Sequence, residues 1–265
     1  MKKIDLTKIL IIVLIIIAVI IVGILILSKI TKNNQITEEQ METYNNYVEN
    51  YYIHLTSGQN TPYYGAEILY AKDETKLSDI ADKYLISTAL KYLSMTGQNS
   101  NVDYDTLESL YGEQYPEIKT SAIFNGEDIR AAIKTLFGIE DFSNPTIQGD
   151  ITHLTTYQYL DKEDVYVVIN GNEEDIVSEN QFIDYSIIKN ETKDDKIYTT
   201  VAIAYCKSSG ESIDYAANKE GTKVIAQNVK EFPTDKIEQF DKYQFTLTKS
   251  TDGKNYIFES VKKVK

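Results

Sequence analysis

Ile197-Tyr198-Thr199-Thr200-Val201-Ala202-Ile203-Ala204-Tyr205-Cys206 is the stretch on which the fold turns. Ile197, Thr199, Val201, Ile203 and Tyr205 alternate with Tyr198, Thr200, Ala202, Ala204 and Cys206. A period of two sends successive side chains to opposite faces, so the segment predicts a half-buried strand. Lys193-Asp194-Asp195-Lys196, just before it, is a hairpin turn signal. Farther out, Val165, Val167 and Ile169 alternate with more polar or lateral positions, and Tyr243, Phe245 and Leu247 with Gln244, Thr246 and Thr248. Asp161-Lys162-Glu163-Asp164 and Thr251-Asp252-Gly253-Lys254 supply two more turns. The half of the chain after Pro145 therefore reads as an antiparallel meander.

Upstream the period changes to that of a helix. Thr37-Glu38-Glu39-Gln40 fits a capping box, and Met41, Tyr44, Val48, Tyr51 and Leu55 recur at helical spacing, predicting a helix near 38–57. Thr61-Pro62-Tyr63-Tyr64-Gly65 reads as a turn or irregular connection. Leu77, Ile80, Tyr84, Leu85, Thr88 and Tyr92 share one face of a predicted helix over 76–96, stopped by Gly97. Asp105 to Tyr111 predicts a short helix, and Asn125-Gly126-Glu127-Asp128 opens another, Ile129 to Phe137, closed by Gly138. Its apolar stripe is Ile129, Ala132, Ile133, Leu136 and Phe137. Helices first and strands after give an α+β class, with helices packed on one face of a curved antiparallel sheet of roughly five to seven strands. The expected division is a helical part over 38–140 and a mainly β part over 146–265, within one domain.

The start of the chain obeys a different solvent. Ile9 to Leu27 is 19 apolar residues without interruption. As a helix it spans about 28 Å, close to the hydrocarbon thickness of a bilayer. It has no polar face to show to water. Leu25-Ile26-Leu27-Ser28-Lys29 ends it with bulky side chains and no small-x-small cleavage site, so the run predicts an uncleaved signal anchor. Lys2, Lys3, Lys8 and the α-amino group precede it, and Lys29 and Lys32 follow. Positive charge stays inside, which places residues 1–8 in the cytoplasm, the transmembrane segment at 9–28, a polar spacer at 29–37 and residues 38–265 outside the cell. The bilayer, met through residues 9–28, is the one partner the sequence names.

Composition narrows the chemistry. The 265 residues carry a net charge of −13, and the segment after residue 32 is more acidic still, with 22 basic against 39 acidic groups. Such a balance repels phosphate backbones and predicts no nucleic-acid partner. It likewise predicts no direct attraction to anionic lipid or teichoic acid, leaving divalent cations as a bridge. The single cysteine excludes an intramolecular disulfide and any cysteine-built zinc or iron–sulfur centre. Of 27 basic residues only Arg130 is arginine; tryptophan is absent and tyrosine numbers 21. AT-rich codons favour this usage, an association that points to a low-GC Gram-positive bacterium or a relative.

Candidate chemistry is sparse. Cys206 with His153 as base is the boldest arrangement, and a small strand cysteine is the plainer one. His54 lies beside the Tyr51–Leu55 stripe, and no second histidine follows at ligand spacing. Asn101-Val102-Asp103-Tyr104-Asp105 and Asn170-Gly171-Asn172-Glu173-Glu174-Asp175 offer oxygens for weak calcium binding, without the glycine and glutamate offsets of an EF-hand; solvated loops explain them as well. No glycine-rich phosphate loop, Gly-x-Ser-x-Gly elbow or Ser-x-x-Lys motif appears. The reading assigns no catalytic, cofactor or metal residues and expects no enzyme.

The close at Phe137-Gly138, the Tyr157-x-Tyr159 and Val165-Tyr166 strands and the hairpin from Tyr243-x-Phe245 to Tyr256-x-Phe258 resemble membrane-anchored proteins of Clostridia and their relatives. That resemblance implies one N-terminal anchor and an outer α+β domain, similar to the NTF2-like or cystatin-like folds. Type IV pilins also start with a hydrophobic helix that packs on a sheet, but Lys3-Ile4-Asp5-Leu6-Thr7 lacks their glycine and the run lacks their glutamate. Sortases share the size and topology; Ala202-Ile203-Ala204-Tyr205-Cys206-Lys207 lacks their threonine, and no arginine follows the cysteine. The expectation is a membrane-anchored extracytoplasmic binding or envelope-associated protein with an envelope protein or cell-wall partner; a pilin-like assembly subunit is the alternative, and a sortase-like thiol transpeptidase a third.

Overall fold

The computed structural model describes residues 36–53, 55, 73–99, 102–119, 121–149, 155–169, 181–218 and 220–265. Ile9–Leu27, His54, His153 and the 170–175 loop lie outside them, and so does Asn101. Among the described residues no helix is long and apolar enough to cross a membrane. The chain divides into two compact units, Met1–Thr43 and Tyr44–Lys265.

Of the first unit, the described part holds a helix start. Thr37 Oγ1 accepts from the Gln40 N–H at 3.2 Å, and Gln40 Oε1 accepts from the Thr37 N–H at 3.0 Å. This reciprocal capping box opens α1 (Glu38–Tyr47), as its sequence predicts. The helix then widens into a π turn, Val48–Tyr52, in which the Ile53 N–H reaches back to Val48 O at 2.9 Å. The continuous α-helix expected to residue 57 is therefore interrupted.

The second unit is α+β with antiparallel sheets. Its helices are α2 (Asp82–Thr96), α3 (Tyr104–Tyr111) and α4 (Gly126–Phe137). Asp103 and Asn125 cap α3 and α4 with their side chains, and Gly97 and Gly138 end α2 and α4 in the left-handed region at φ 66° and 68°. The helix expected from residue 76 begins only at Asp82. The missing turn became β1 (Glu74–Lys76) and a 3₁₀ turn, Leu77–Asp79, pinned by the Lys76 N–H on Asp79 Oδ2 at 3.2 Å. A local carboxylate acceptor competes with the helical partner here.

Among the described residues two sheets form, where one was expected. The small sheet runs β2 (Ala122–Asn125), β4 (Val165–Ile169), β3 (Thr156–Leu160). The large one runs β1, β10 (Tyr256–Val264), β9 (Asp241–Lys249), β6 (Lys196–Ser209), β7 (Ser212–Ala216), β8 (Val224–Val229). β5 (Gln181–Lys193) pairs with β6 on its other edge. β1 pairs with the last strand and β2 with β4, so strands before residue 140 join both sheets. The large sheet has seven strands, at the top of the expected number.

Burial explains where the period of two held. In β6, Ile197, Thr199 and Val201 are fully buried while Tyr198 and Thr200 are half-buried. Val165 to Val168 are buried without alternation, because α3 residues cover one face of the small sheet through Leu107 and the opposite face is buried too. The principal core joins Tyr52, Phe137 and Phe258, whose rings lie 5.3–6.5 Å apart. Tyr52 is fully buried, and its hydroxyl donates to Leu136 O at 2.8 Å. Tyrosine thus fills helical core positions, with its polar tip satisfied by a helix-terminal carbonyl. Gly138 is favoured here by its φ of 68°, and a Cβ would press only on the end of the Ile257 side chain.

Candidate functional site

Three places hold the residues on which chemistry could rest. The first is the thiol. Cys206 sits on β6 with no exposed surface, in a cluster with Ala202, Ala204, Tyr215, Ala226 and Phe240. Burial pushes its thiol well above the ordinary range, and the Asp184 carboxylate nearby adds to the shift. Asp184 accepts from the Tyr215 hydroxyl at 2.7 Å. A sulfur held as a neutral thiol out of solvent is a poor nucleophile.

The second place is a polar knot at the start of α4. Arg130 is on the first turns of that helix and Asp164 closes the β3–β4 turn. The guanidinium grips the carboxylate with both ends, Nη1 on Oδ1 at 2.8 Å and Nη2 on Oδ2 at 2.7 Å. The Tyr159 hydroxyl donates to Oδ1 at 2.8 Å, and the Gly126 N–H donates to the Asp164 carbonyl at 2.6 Å. A Cβ on Gly126 would collide with Asp164, so only glycine lets the helix start this close to the turn. Asn144 and Asp164 both adopt positive φ, 51° and 50°. Asn144 is buried at 3 % exposure, with Nδ2 at a long 3.5 Å from Asp164 Oδ1 and Oδ1 without a hydrogen-bond partner among the described residues.

The Arg130–Asp164 pair is occupied, while Asn144 Oδ1 is left without a partner among the described residues. The Arg130 hydrogen bonds hold the Asp164 carboxyl below its ordinary range, and Tyr159 assists. Burial raises the Tyr159 hydroxyl. An ionised carboxylate whose lone pairs are occupied cannot donate a proton, and a bidentate guanidinium has its fork filled. The knot clamps α4 to the small sheet. Sequence reading singled out Arg130 as the lone arginine but could not pair it with a turn aspartate 34 positions away.

The third place is the open half of the large sheet. At one end of β6 the face carrying Ala202, Ala204 and Cys206 is covered by Phe240 and its neighbours. At the other end the same face carries Lys196, Tyr198 and Thr200, all half-buried. Register sets beside them Thr248, Thr246 and Gln244 of β9, then Ser260 and Lys262 of β10, and Glu191 and Lys193 of β5. A shallow hollow of about 400 Å³ opens among Glu191, Thr192, Lys193, Tyr198 and Gln244. No sequence signal announced this surface, because its members come from β5, β6, β9 and β10.

The loop residues considered for calcium divide. Asp103 accepts from the Thr106 N–H at 3.1 Å and from its hydroxyl at 2.7 Å, so its oxygens serve as a helix cap. Among the described residues no three His, Cys, Asp or Glu side chains converge as a metal site. Comparison with protein-family models, with curated proteins and with solved structures found no match.

Proposed function

We propose that the chain is a single-pass membrane protein with its N-terminus in the cytoplasm, whose α+β unit lies outside the cell and binds an envelope partner. The observation that carries the reading is Ile9–Leu27, an apolar run of bilayer length flanked by lysines, ahead of an acidic folded unit. The open half of the large sheet supports a binding role. Half-buried Tyr198, Thr200, Gln244 and Thr248 and exposed Glu191 and Lys193 share it, while Thr246 and Ser260 on the same face are buried. Among the described residues Cys206 is buried and Arg130 is held by Asp164 at both ends, so neither of these two groups carries the reading.

The test has two arms. A periplasm-active reporter enzyme fused after Lys265 is expected to work only outside the cell, and the chain is expected to stay with membranes through a carbonate wash. Activity of the reporter only inside, or release by carbonate, would end the reading.

A further inference from the structure

Asn125-Gly126 is the junction between β2 and α4. An asparagine followed by glycine is prone to lose its amide, because glycine has no side chain to keep its nitrogen from the neighbouring carboxamide. The Gly126 nitrogen forms a bond to Asn125 Cγ, its proton departs with the side-chain nitrogen as ammonia, and a succinimide is left. Water then opens the ring to aspartate, or to isoaspartate, in which the main chain runs through the side-chain carboxyl. The dipeptide and water supply every atom of the reaction.

The structure opposes this ring closure at each group it needs. The attacking nitrogen is engaged, since the Gly126 N–H donates to the Asp164 carbonyl at 2.6 Å. Gly126 is buried, and Asp164 packs so closely on it that a Cβ there would lie 2.0 Å from Oδ1. Closure also needs the Gly126 nitrogen turned toward the Asn125 side chain by rotation of ψ, one of the two soft dihedrals of that residue. At Asn125 ψ is 132°, an extended value that points the nitrogen away from Cβ, and pairing of Asn125 with Val165 helps to hold it. The carboxamide is committed as well: its Oδ1 accepts from the Glu127 N–H at 2.9 Å as the α4 cap. Asp164 is itself fixed by the two-ended grip of Arg130, at 2.8 and 2.7 Å. Arg130 lies one helical turn after Gly126 and acts on the dipeptide through Asp164.

We infer that Asn125-Gly126 is a spontaneous deamidation site which the Arg130–Asp164 pair keeps closed, and that release of the pair opens it. Isoaspartate adds a methylene to the main chain where β2 enters α4, so each release that runs through to product leaves a lasting fault at the helix start. The inference is independent of the binding role proposed above.

The full chain is incubated in uncharged detergent micelles at mildly alkaline pH, and peptide mapping by mass spectrometry follows aspartate and isoaspartate at position 125. In the folded wild type conversion is expected to run about tenfold or more slower than in the same chain unfolded by urea. Arg130→Ala is expected to speed conversion in the folded chain about fivefold or more, by raising the population in which the Gly126 nitrogen is free. Tyr215→Phe serves as the control: it removes a hydroxyl that donates to Asp184 at 2.7 Å in the other sheet, and is expected to change the rate less than about twofold. Circular dichroism melting confirms that both variants are folded during incubation. If Arg130→Ala does not fold, Arg130→Lys, which keeps the charge without the two-ended grip, takes its place with the same expectation. Conversion in the folded wild type as fast as in urea overturns the inference. So does an unchanged rate in the Arg130 variant, and so does equal acceleration by Tyr215→Phe, which would assign the protection to global stability.

Discussion

The two faces of β6 and β9 are built on one backbone and carry opposite tasks. Inward, Ile197, Thr199, Val201, Phe245 and Leu247 are all at 0 % exposure. Outward, Tyr198, Thr200, Gln244 and Thr248 are half-buried, and each sits directly between inward neighbours. The inward face stabilises the fold by removing apolar surface from water; the outward one contributes little to folding and leaves donors and ammonium groups available. The knot at Arg130 teaches the complementary lesson. It is as polar as the outward face, yet Arg130, Asp164 and Tyr159 are spent on each other.

That contrast can be broken by substitution. The largest effect is expected at the inward face: Phe245→Ala should destabilise the second unit by about 3–5 kcal/mol, read as a lower urea midpoint at unchanged slope. A loss under about 1 kcal/mol would mean the inward face is not the core. Next comes Arg130→Lys, which keeps the charge but removes the two-ended grip on Asp164. About 1–2 kcal/mol is expected, discounted because both side chains are about one-third exposed, at 34 % and 36 %.

The same pair has a pH signature. The folded-state pKa of Asp164 is depressed by Arg130, so its contribution is complete above the ordinary carboxylate range. It is lost as pH falls through the depressed value. Asp164→Asn should therefore flatten the acid limb of stability against pH, and an unchanged limb would assign acid sensitivity to other carboxylates. The thiol separates buried from open chemistry: Cys206 should resist a disulfide exchange reagent in the native protein and react once urea unfolds it. Rapid native labelling would contradict its burial. The smallest effect is expected on the outward face, where Lys262→Ala should move stability by no more than about 0.5 kcal/mol.

Legibility followed locality. The α4 stripe, its Asn125 cap and its Gly138 stop were readable, because capping and amphipathicity involve residues a few positions apart. The hairpin turn at Asp194-Asp195 was readable too; both residues take positive φ, 52° and 58°. β2 and β1 were missed. Each is short, and each exists because a distant partner, β4 or β10, supplies the ladder. β5 escaped for another reason: Ile187-Ile188-Lys189 carries a bulge, which breaks the alternation that would have announced it. Val165–Val168 looked half-buried by alternation but are covered on both faces. At the knot, Arg130 was visible as a rare residue, while Asp164 was one turn acid among many.

The sequence by itself determined the apolar run, the helix boundaries set by caps and glycines, and the class of the folded unit. Those follow from interactions between near neighbours and from the preference of side chains for one solvent. Only the tertiary structure decided that the described residues form two sheets, that the lone arginine grips a turn aspartate with both ends, and that the lone thiol is buried. Each depends on which strands pair across long separations, where the energy of closing the contact comes from burial shared by the whole unit.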